Sequence, residues 1–179
     1  TRLTSPQFAS GICPGPWTRP ADSMLYWSQR TGAAQIYRMD LNSGASEQLT
    51  AAESLDPART VVLPGGRGFC YFDGEWLFQA ETARARQRRV YGATGGWAPA
   101  SGLAAAPDGR RIVFVERRGG AYRLRQVGLD GGSVSTVLEC GAGAEDPAVR
   151  GRPAEVLFRQ AGELWLAGLN GRNLRRLAT

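Results

Sequence analysis

The sequence predicts an all-β fold: a β-propeller built from four four-stranded antiparallel blades, forming a partial or small propeller. The main observation is a short apolar strand core that recurs four times, at residues 25–27, 70–72, 112–114 and 156–158. These cores follow one another with a period of about 44 residues. A period of roughly 40–50 residues, with several short strands in each repeat, is typical of propeller blades.

Turn residues between the predicted strands are the second observation. Asp-Gly pairs at residues 73–74 and 108–109 and an Asn-Gly pair at residues 170–171 separate the strands, and such pairs supply the positive φ angles that tight hairpins need. Residues 35–41 nearly alternate between apolar and polar side chains, as in a strand with one buried face. The arginine-rich residues 80–89 fall at a turn between two predicted strands, so we expect a charged outer hairpin there rather than a helix.

The repeats divide a single β-propeller domain or segment of residues 1–179 into blades at residues 15–52, 53–98, 99–142 and 143–179. Residues 1–14 are expected to hold the end of a preceding blade and a linker, because residues 1–4 resemble the close of the first repeat at residues 47–50. The four blades are expected to form part of a larger ring, to complete a ring with a second chain, or to close a small ring alone. Open blade edges would expose apolar faces, which favours self-association or association with further blades.

The charge of the chain favours an anionic partner. The formal net charge is +6, and all 22 basic residues are Arg. Arginine binds carboxylate and phosphate through parallel hydrogen bonds. The structural alternative is a solvated outer face, where charge blocks the pairing of strand edges. Nucleic acid is disfavoured as a partner because no recognised nucleic-acid-binding fold accompanies the charge. No membrane partner is expected, because the sequence has no signal peptide and no apolar run of spanning length.

The sequence contains no histidine. The usual general base, the Ser-His-Asp triad and the usual transition-metal ligand are therefore missing, and we assign no catalytic residue and no metal ligand. Three cysteines lack the CxxC spacing of a metal or redox site. Cys70 is expected in the core, while a bridge between Cys13 and Cys140 is left open. The compartment is also left open, between the cytoplasm and the periplasm of a bacterium.

Four residues near one predicted hairpin are candidates for ligand binding. Arg117, Arg118 and Arg123 cluster in the third blade, where carboxylates are sparse, so we expect them to attract an anionic ligand. Trp97 lies in a glycine-rich connection, where it would offer a stacking platform to a sugar. For the arginines the structural alternative is a solvated surface, and for the tryptophan it is packing between blades.

An acidic pair is a further candidate. Glu145 and Asp146 stand just before the predicted inner strand of the fourth blade, and residues 55–57 repeat part of this arrangement in the second blade. In a propeller that position faces the central channel, which favours ligand binding. A repeated structural turn is the alternative.

The order of the segments resembles the TolB-type propeller repeat and, more narrowly, the oligogalacturonate lyase family. The matching segments are residues 1–6 (TRLTSP), 37–44 (YRMDLNSG), 48–50 (QLT), 124–139 (LRQVGLDGGSVSTVLE), 164–166 (LWL) and 170–175 (NGRNLR). Together they are distributed over the whole chain, as about the first four blades of the family's longer propeller.

The resemblance implies a propeller that binds short, polyanionic pectin fragments, which the family cleaves by β-elimination. It also implies a metal held by His and Gln in the family's last blades. A divalent metal such as manganese would then belong to blades outside this chain, and no cofactor is expected within it. Glu163 stands where the family carries an arginine ahead of the LWL-like strand, and a carboxylate there would repel a uronate.

The sequence is compatible with three functions. The first, which we take as the expectation, is a non-catalytic, lyase-like propeller that binds an anionic oligosaccharide or a protein partner. The second is the N-terminal part of an oligogalacturonate lyase whose histidine-containing catalytic blades lie outside this chain. The third is the propeller gate domain of a prolyl-oligopeptidase-type serine peptidase. The chain alone is expected not to be an enzyme, and it would be part of a polysaccharide lyase under the second hypothesis.

Overall fold

Four antiparallel sheets make up the described part of the chain. The structure, a computed structural model, describes residues 8–18, 22–151 and 153–178. Each sheet is a meander of four strands in sequence order, and no helix occurs within these three ranges. The expected all-β fold of four four-stranded units is confirmed. The strand predicted at residues 1–4 lies outside the described residues.

The bounds of the strands are as follows. The first sheet holds β1 (Ser10–Trp17), β2 (Ser23–Thr31), β3 (Ala33–Asp40) and β4 (Ser46–Gln48). The second holds β5 (Leu55–Val62), β6 (Gly68–Asp73), β7 (Trp76–Glu81) and β8 (Gln87–Gly92). The third holds β9 (Ala98–Ala105), β10 (Arg111–Arg118), β11 (Ala121–Gly128) and β12 (Val134–Cys140). The fourth holds β13 (Glu145–Arg150), β14 (Glu155–Gln160), β15 (Glu163–Gly168) and β16 (Arg175–Ala178).

Two local features bear on the predicted boundaries. Residues 10–14, expected in a linker, belong to β1, whose pairing with β2 shifts register between Ile12 and Trp17. Gly15 lies in that shift with a φ of 64°, a conformation that glycine adopts without steric cost. The arginine-rich segment forms the predicted hairpin, because β7 ends at Glu81, β8 begins at Gln87, and the Glu81 amide donates to the Arg86 carbonyl over 3.0 Å.

The chain divides into two units, Thr1–Arg89 and Val90–Thr179. The core of the first unit includes Leu25 from β2, Ile36 from β3, and Phe69 and Tyr71 from β6, all fully or almost fully buried. Side chains two residues apart in a strand point to the same face, which is why alternate residues of β6 enter this core. Each such side chain stabilises the fold by about 1.5–3 kcal/mol through burial.

A buried amide joins the first sheet to the connection that follows it. Gln35 donates from Nε2 to the Ala52 carbonyl over 2.6 Å. Its Oε1 accepts from the Thr50 hydroxyl at 2.8 Å and from the Ala52 amide at 2.9 Å. Because a buried polar group without partners is costly, this network fixes the path of the chain between β4 and β5.

The core of the second unit lies between the third and fourth sheets. Val113 and Val115 of β10 and Leu124 of β11 pack against Val156 and Phe158 of β14, and all five have at most 1% exposed surface. The opposite face of β10 carries Ile112, Phe114, Glu116 and Arg118 by the same alternation. No helix with the length and apolar character needed to cross a membrane was found among the described residues.

The three cysteines are free thiols. Cys70 is fully buried, as predicted, and Cys13 and Cys140 form no bridge. Burial raises the pKa of Cys13 to about 12 and that of Cys140 to about 11, because a low-dielectric environment disfavours the thiolate. The thiols are therefore protonated at neutral pH.

Candidate functional site

The residues predicted at the hairpin of the third sheet lie at one edge of the second unit. Because β10 runs antiparallel to β9 and β11, its last residues lie beside the first residues of those two strands. Arg117 is paired with both Ala98 and Tyr122, and Trp97 directly precedes β9. We call this edge, defined by Trp97, Arg117, Arg118 and Arg123, the arginine rim.

Glu116 lies at the base of the arginine rim with no exposed surface. Arg123, its partner across the β10–β11 pair, donates to Glu116 Oε2 from Nε at 2.9 Å and approaches the same oxygen with Nη2 at 2.8 Å. The Nε of Arg125 lies 3.5 Å from that oxygen, and the Tyr91 hydroxyl donates to Oε1. Two arginines and one tyrosine thus compensate a buried carboxylate, which would otherwise be very unfavourable.

Trp97 is covered by arginine side chains. The guanidinium carbon of Arg123 lies 3.8 Å from its ring centroid, and that of Arg118 lies 4.8 Å away. Both distances lie within the usual range of cation–π contacts. The tryptophan is only 8% exposed, so it offers little free surface to a sugar. Its contacts instead orient the two arginines.

Arg117 and Arg118 differ in their surroundings. Both side chains are exposed, but neighbouring residues of a strand point to opposite faces, so Arg117 leaves β10 on the face opposite to Glu116. Arg118 donates from Nη1 to the Gly95 carbonyl over 3.3 Å. Neither arginine forms an ion pair within the described ranges of the chain. Their positive charges are therefore available to an anion.

The arginine rim is positively charged overall. Arg117, Arg118 and Arg123 of the rim and the neighbouring Arg125 contribute four positive charges, and Glu116 removes one of them. Glu139 is paired with Arg123 in the β11–β12 register and is exposed, so it removes a second. A net positive potential remains, which would attract anions and weaken with added salt.

The predicted acidic pair forms a separate group. Arg159 Nη2 lies 3.0 Å from Glu145 Oε1 and 3.0 Å from Asp146 Oδ2. The Asp146 amide donates to the Ser101 hydroxyl over 3.3 Å, and Asp146 has a φ of 51°. These contacts place the pair at the start of β13, where one arginine offsets part of its charge. Among the described residues, no ion pair or cation–π contact joins the acidic pair to Trp97.

The surroundings of Tyr91 raise the pKa of its hydroxyl. Burial, together with the hydrogen bond to Glu116 and the charge of that carboxylate, raises the pKa of Tyr91 to about 12. Its ring also contacts Phe114, with centroids 5.3 Å apart. The hydroxyl therefore stays protonated and remains a donor to Glu116 through the physiological pH range.

Metal-ligating side chains do not cluster in the described part of the chain: no three His, Cys, Asp or Glu residues come together there. Glu163, the first residue of β15, forms an ion pair with Arg176 at 2.8 Å. That arginine reduces the repulsion that the carboxylate would exert on a uronate.

A cavity of about 380 Å³ occupies another part of the second unit and contains none of the predicted site residues. It is lined by Arg111, Gln126, Glu155, Leu169 and Asn170, among others. Arg111 is already paired with Asp108 at 2.8 Å. The arginine rim, in which Arg117 and Arg118 are exposed and form no ion pair within the described residues, is the stronger candidate for an anion.

Sequence reasoning missed Glu116, Tyr91 and Arg125. The signal for Glu116 was present, because it is a carboxylate at the end of the buried stretch of β10 and stands opposite an arginine in the predicted hairpin. Such a cross-strand pair predicts compensation of a buried charge. Tyr91 lies far away in sequence, and only the fold brings its hydroxyl to the carboxylate.

Comparison with solved structures identifies the fold. The oligogalacturonate lyase in complex with manganese matches with a TM-score of 0.90 and 22% identity, over 99% of this chain and 56% of the lyase. TolB from Acinetobacter baumannii matches with a TM-score of 0.72 and 20% identity, over 94% of this chain and 44% of TolB. The chain therefore has a β-propeller fold of the lyase and TolB kind, which confirms the predicted resemblance at the level of the fold.

Comparison at the level of sequence adds a distant relative. An uncharacterized protein of Agrobacterium fabrum (strain C58) is 27% identical over an alignment of 137 residues, and the match covers 69% of this chain and 45% of that protein. No protein-family model matches the chain. The chain spans about half the length of the proteins that it resembles.

Proposed function

We propose that the chain is a non-catalytic, lyase-like propeller that binds an anionic saccharide of the oligogalacturonate type at the arginine rim. The observation that supports this proposal is the stacking of Arg118 and Arg123 on Trp97. Arginines that are already held in place lose less side-chain entropy when a ligand binds. The rim is thus suited to carboxylates presented at regular intervals along a sugar chain.

The members of the rim have different roles in this proposal. Arg117 and Arg118, which are exposed and free of ion pairs within the described residues, bind carboxylates directly through parallel hydrogen bonds. Arg123, held by Glu116, supports Arg118 through Trp97. The tryptophan orders the guanidinium groups and does not serve as a platform for a sugar ring.

In the same proposal, the carboxylates of the acidic pair bind the hydroxyl groups of the saccharide. Carboxylates accept hydrogen bonds from sugar hydroxyls, and Arg159 lies within 3.0 Å of Glu145 and Asp146. Because that arginine offsets part of their charge, the pair can contact a neutral part of a uronate oligomer without strong repulsion. Replacement of Asp146 by Asn should therefore change affinity less than replacement of Arg118.

The test of binding is a calorimetric titration of the chain with an oligogalacturonate. The variant Arg117→Gln/Arg118→Gln, which leaves the Arg123–Glu116 pair intact, should bind several-fold more weakly, since exposed charge contacts contribute about 0.2–1 kcal/mol each. The wild-type affinity should fall between about 50 mM and about 300 mM salt, and the variant should show a smaller fall.

A matched variant controls for the loss of charge. Arg110, Arg172 and Arg175 are exposed residues of the same unit, and replacement of the first two by Gln removes the same number of charges away from the rim. Little change in that control supports a local site. Equal weakening in both variants, or unchanged affinity in the rim variant, would refute the proposed site. Binding of a protein in place of the saccharide would assign the rim to a protein partner.

The second candidate function is the N-terminal part of an active oligogalacturonate lyase. It is favoured by the TM-score of 0.90 together with coverage of 56% of that lyase. It predicts a histidine-containing continuation of the reading frame that completes the propeller. The non-catalytic proposal predicts that the full-length protein, incubated with oligogalacturonate and manganese, releases no unsaturated uronate. Release of that product would refute the non-catalytic proposal and support the lyase hypothesis.

A further inference from the structure

A second basic surface lies in the first unit, at the hairpin between β7 and β8. Arg84, Arg86, Arg88 and Arg89 are all exposed there, and we call residues 84–89 the basic hairpin. Elsewhere in the described chain, arginines of all four sheets form ion pairs. In contrast, Arg84, Arg86 and Arg89 form no ion pair within the described residues. Within that part of the chain, no carboxylate lies within ion-pair distance of these three side chains.

An aromatic side chain and a cavity adjoin the basic hairpin. The guanidinium carbon of Arg89 lies 4.1 Å from the ring centroid of Trp76, which is 43% exposed. Arg88 donates from Nη2 to Gln79 Oε1 over 2.8 Å. A cavity of about 430 Å³ is lined by Gln79, Ala80, Glu81, Arg86, Gln87 and Arg88. Glu81 is the one carboxylate of this lining, so cationic side chains outnumber it.

The strand that carries these arginines is also an edge. β8 is the last strand of its sheet and has only β7 as a neighbour within the described residues. The outer edge of such a strand presents backbone N–H and C=O groups to an incoming strand. Gln87, Arg88 and Arg89 belong to the exposed part of this edge.

From this combination we infer a binding site for an extended acidic peptide, which adds to the edge of β8 and places its carboxylates against the arginines of the basic hairpin. Backbone pairing supplies the general affinity of strand addition, and the arginines select the sequence of the peptide. This site lies apart from the arginine rim and does not depend on the saccharide proposal.

Two arguments favour a peptide over another polyanion. A saccharide has no repeating main-chain amides with which to pair the open edge, whereas an extended peptide has them. Like-charged edges also repel one another, so the arginines keep two copies of β8 apart. The same charges leave the edge open to a strand of opposite charge.

Fluorescence anisotropy with a labelled heptapeptide, in which Glu alternates with Val, tests the inference. We expect saturable binding to the wild-type chain and about tenfold weaker binding to the variant Arg84→Gln/Arg86→Gln/Arg89→Gln. The variant Arg110→Gln/Arg172→Gln/Arg175→Gln removes the same charge elsewhere and should bind the peptide nearly as the wild type does. A second peptide with Pro in place of Val keeps the carboxylates but loses amide donors, and it should bind several-fold more weakly.

Each alternative outcome overturns the inference. Absence of binding to the wild-type chain, or equal binding by the basic-hairpin variant, removes the site. Equal binding of the proline peptide shows that no strand is added. Displacement of the peptide by oligogalacturonate at equal concentration assigns the hairpin to polyanions in general. Because the probe and the variant differ from those of the arginine rim, failure here leaves the saccharide proposal untouched.

Discussion

Glu116 shows how a single residue determines the local structure of the arginine rim. It has no exposed surface, and its carboxylate is shared by Arg123, Arg125 and the Tyr91 hydroxyl. Removing one partner of a buried ionic group leaves the others uncompensated, which is far more costly than losing an exposed pair.

Replacement of Glu116 by Ala should therefore lower the free energy of unfolding by about 3–5 kcal/mol, because two arginines lose their buried anion. Urea unfolding followed by tryptophan fluorescence measures this change. Glu47, half exposed and 2.6 Å from Arg38, provides the control, since Glu47→Ala should cost less than about 1 kcal/mol. Similar costs for the two variants would show that the Glu116 network does not stabilise the fold.

Tyr91 gives a prediction at alkaline pH. Its folded pKa is raised to about 12, whereas an unfolded tyrosine titrates near pH 10. The unfolded chain therefore loses this proton first, so the stability contribution is complete below about pH 10 and is lost as the pH rises towards about 12. The free energy of unfolding should fall over this window.

The variant Tyr91→Phe should show a smaller fall over the same window, in urea titrations at about pH 9 and about pH 11. Tyr71, whose pKa is also raised by burial, should account for part of the remaining fall. An identical decrease in the wild type and in Tyr91→Phe would contradict the assignment of the linkage to this hydroxyl.

At the level of single elements, the turn between β15 and β16 of the fourth sheet lies against the third sheet within the second unit. Gly171 has a φ of 76°, and a Cβ at that position would overlap the carbonyl oxygen of Val137 in β12. The turn thus needs glycine both for its backbone conformation and for its close approach to the third sheet.

Gly171→Ala should lower the free energy of unfolding by about 2 kcal/mol or more, from backbone strain combined with displacement of the turn. Gly131 is the control, because a Cβ there would meet open space and its φ is not positive. Gly131→Ala should change stability by less than about 0.5 kcal/mol. Thermal unfolding of both variants measures the difference, and equal melting temperatures would contradict the contact.

The strands and turns are the features of this protein that its sequence predicts best. The recurring apolar cores and the Asp-Gly and Asn-Gly turns give four antiparallel meanders, because both signals are local. The predicted hairpin at residues 80–89 follows from the same logic. The start of β1 at Ser10 was not predicted, since its register shift at Gly15 leaves no simple alternation in the sequence.

The site was predicted less completely because its geometry depends on non-local packing. The three arginines of the rim could be placed at one hairpin from their spacing alone. The contacts of Trp97 with Arg118 and Arg123, and those of Glu116 with Tyr91, depend on side-chain orientation across strands. The alternation of side chains along a strand assigns each residue to one face of the sheet. It does not identify which side chain of a neighbouring strand or sheet packs on that residue.

At the scale of the whole molecule, exposed apolar side chains favour association. Ile12 and Trp17 of β1 are 64% and 58% exposed, and Phe8, shortly before β1 in sequence, is 42% exposed. Apolar groups of this size in water tend to become contacts with a partner. We expect the mass measured by light scattering to rise with protein concentration.

The variant Ile12→Ser/Trp17→Ser should reduce this rise, because it removes exposed apolar surface. Leu41→Ser changes an exposed apolar residue outside β1 and should leave the association largely unchanged. A constant monomer mass for the wild-type chain would show that these side chains do not mediate self-association.

The central claim is that the chain recognises the charge of a uronate. The most direct measurement is a calorimetric titration with a galacturonate oligomer and, in parallel, with its methyl ester, which has a similar shape but no carboxylate charge. The free acid should bind at low salt, and the ester should bind at least about tenfold more weakly, because the guanidinium groups of the rim lose their anions. Equal affinity for the two forms, or no binding of the acid, would contradict the claim.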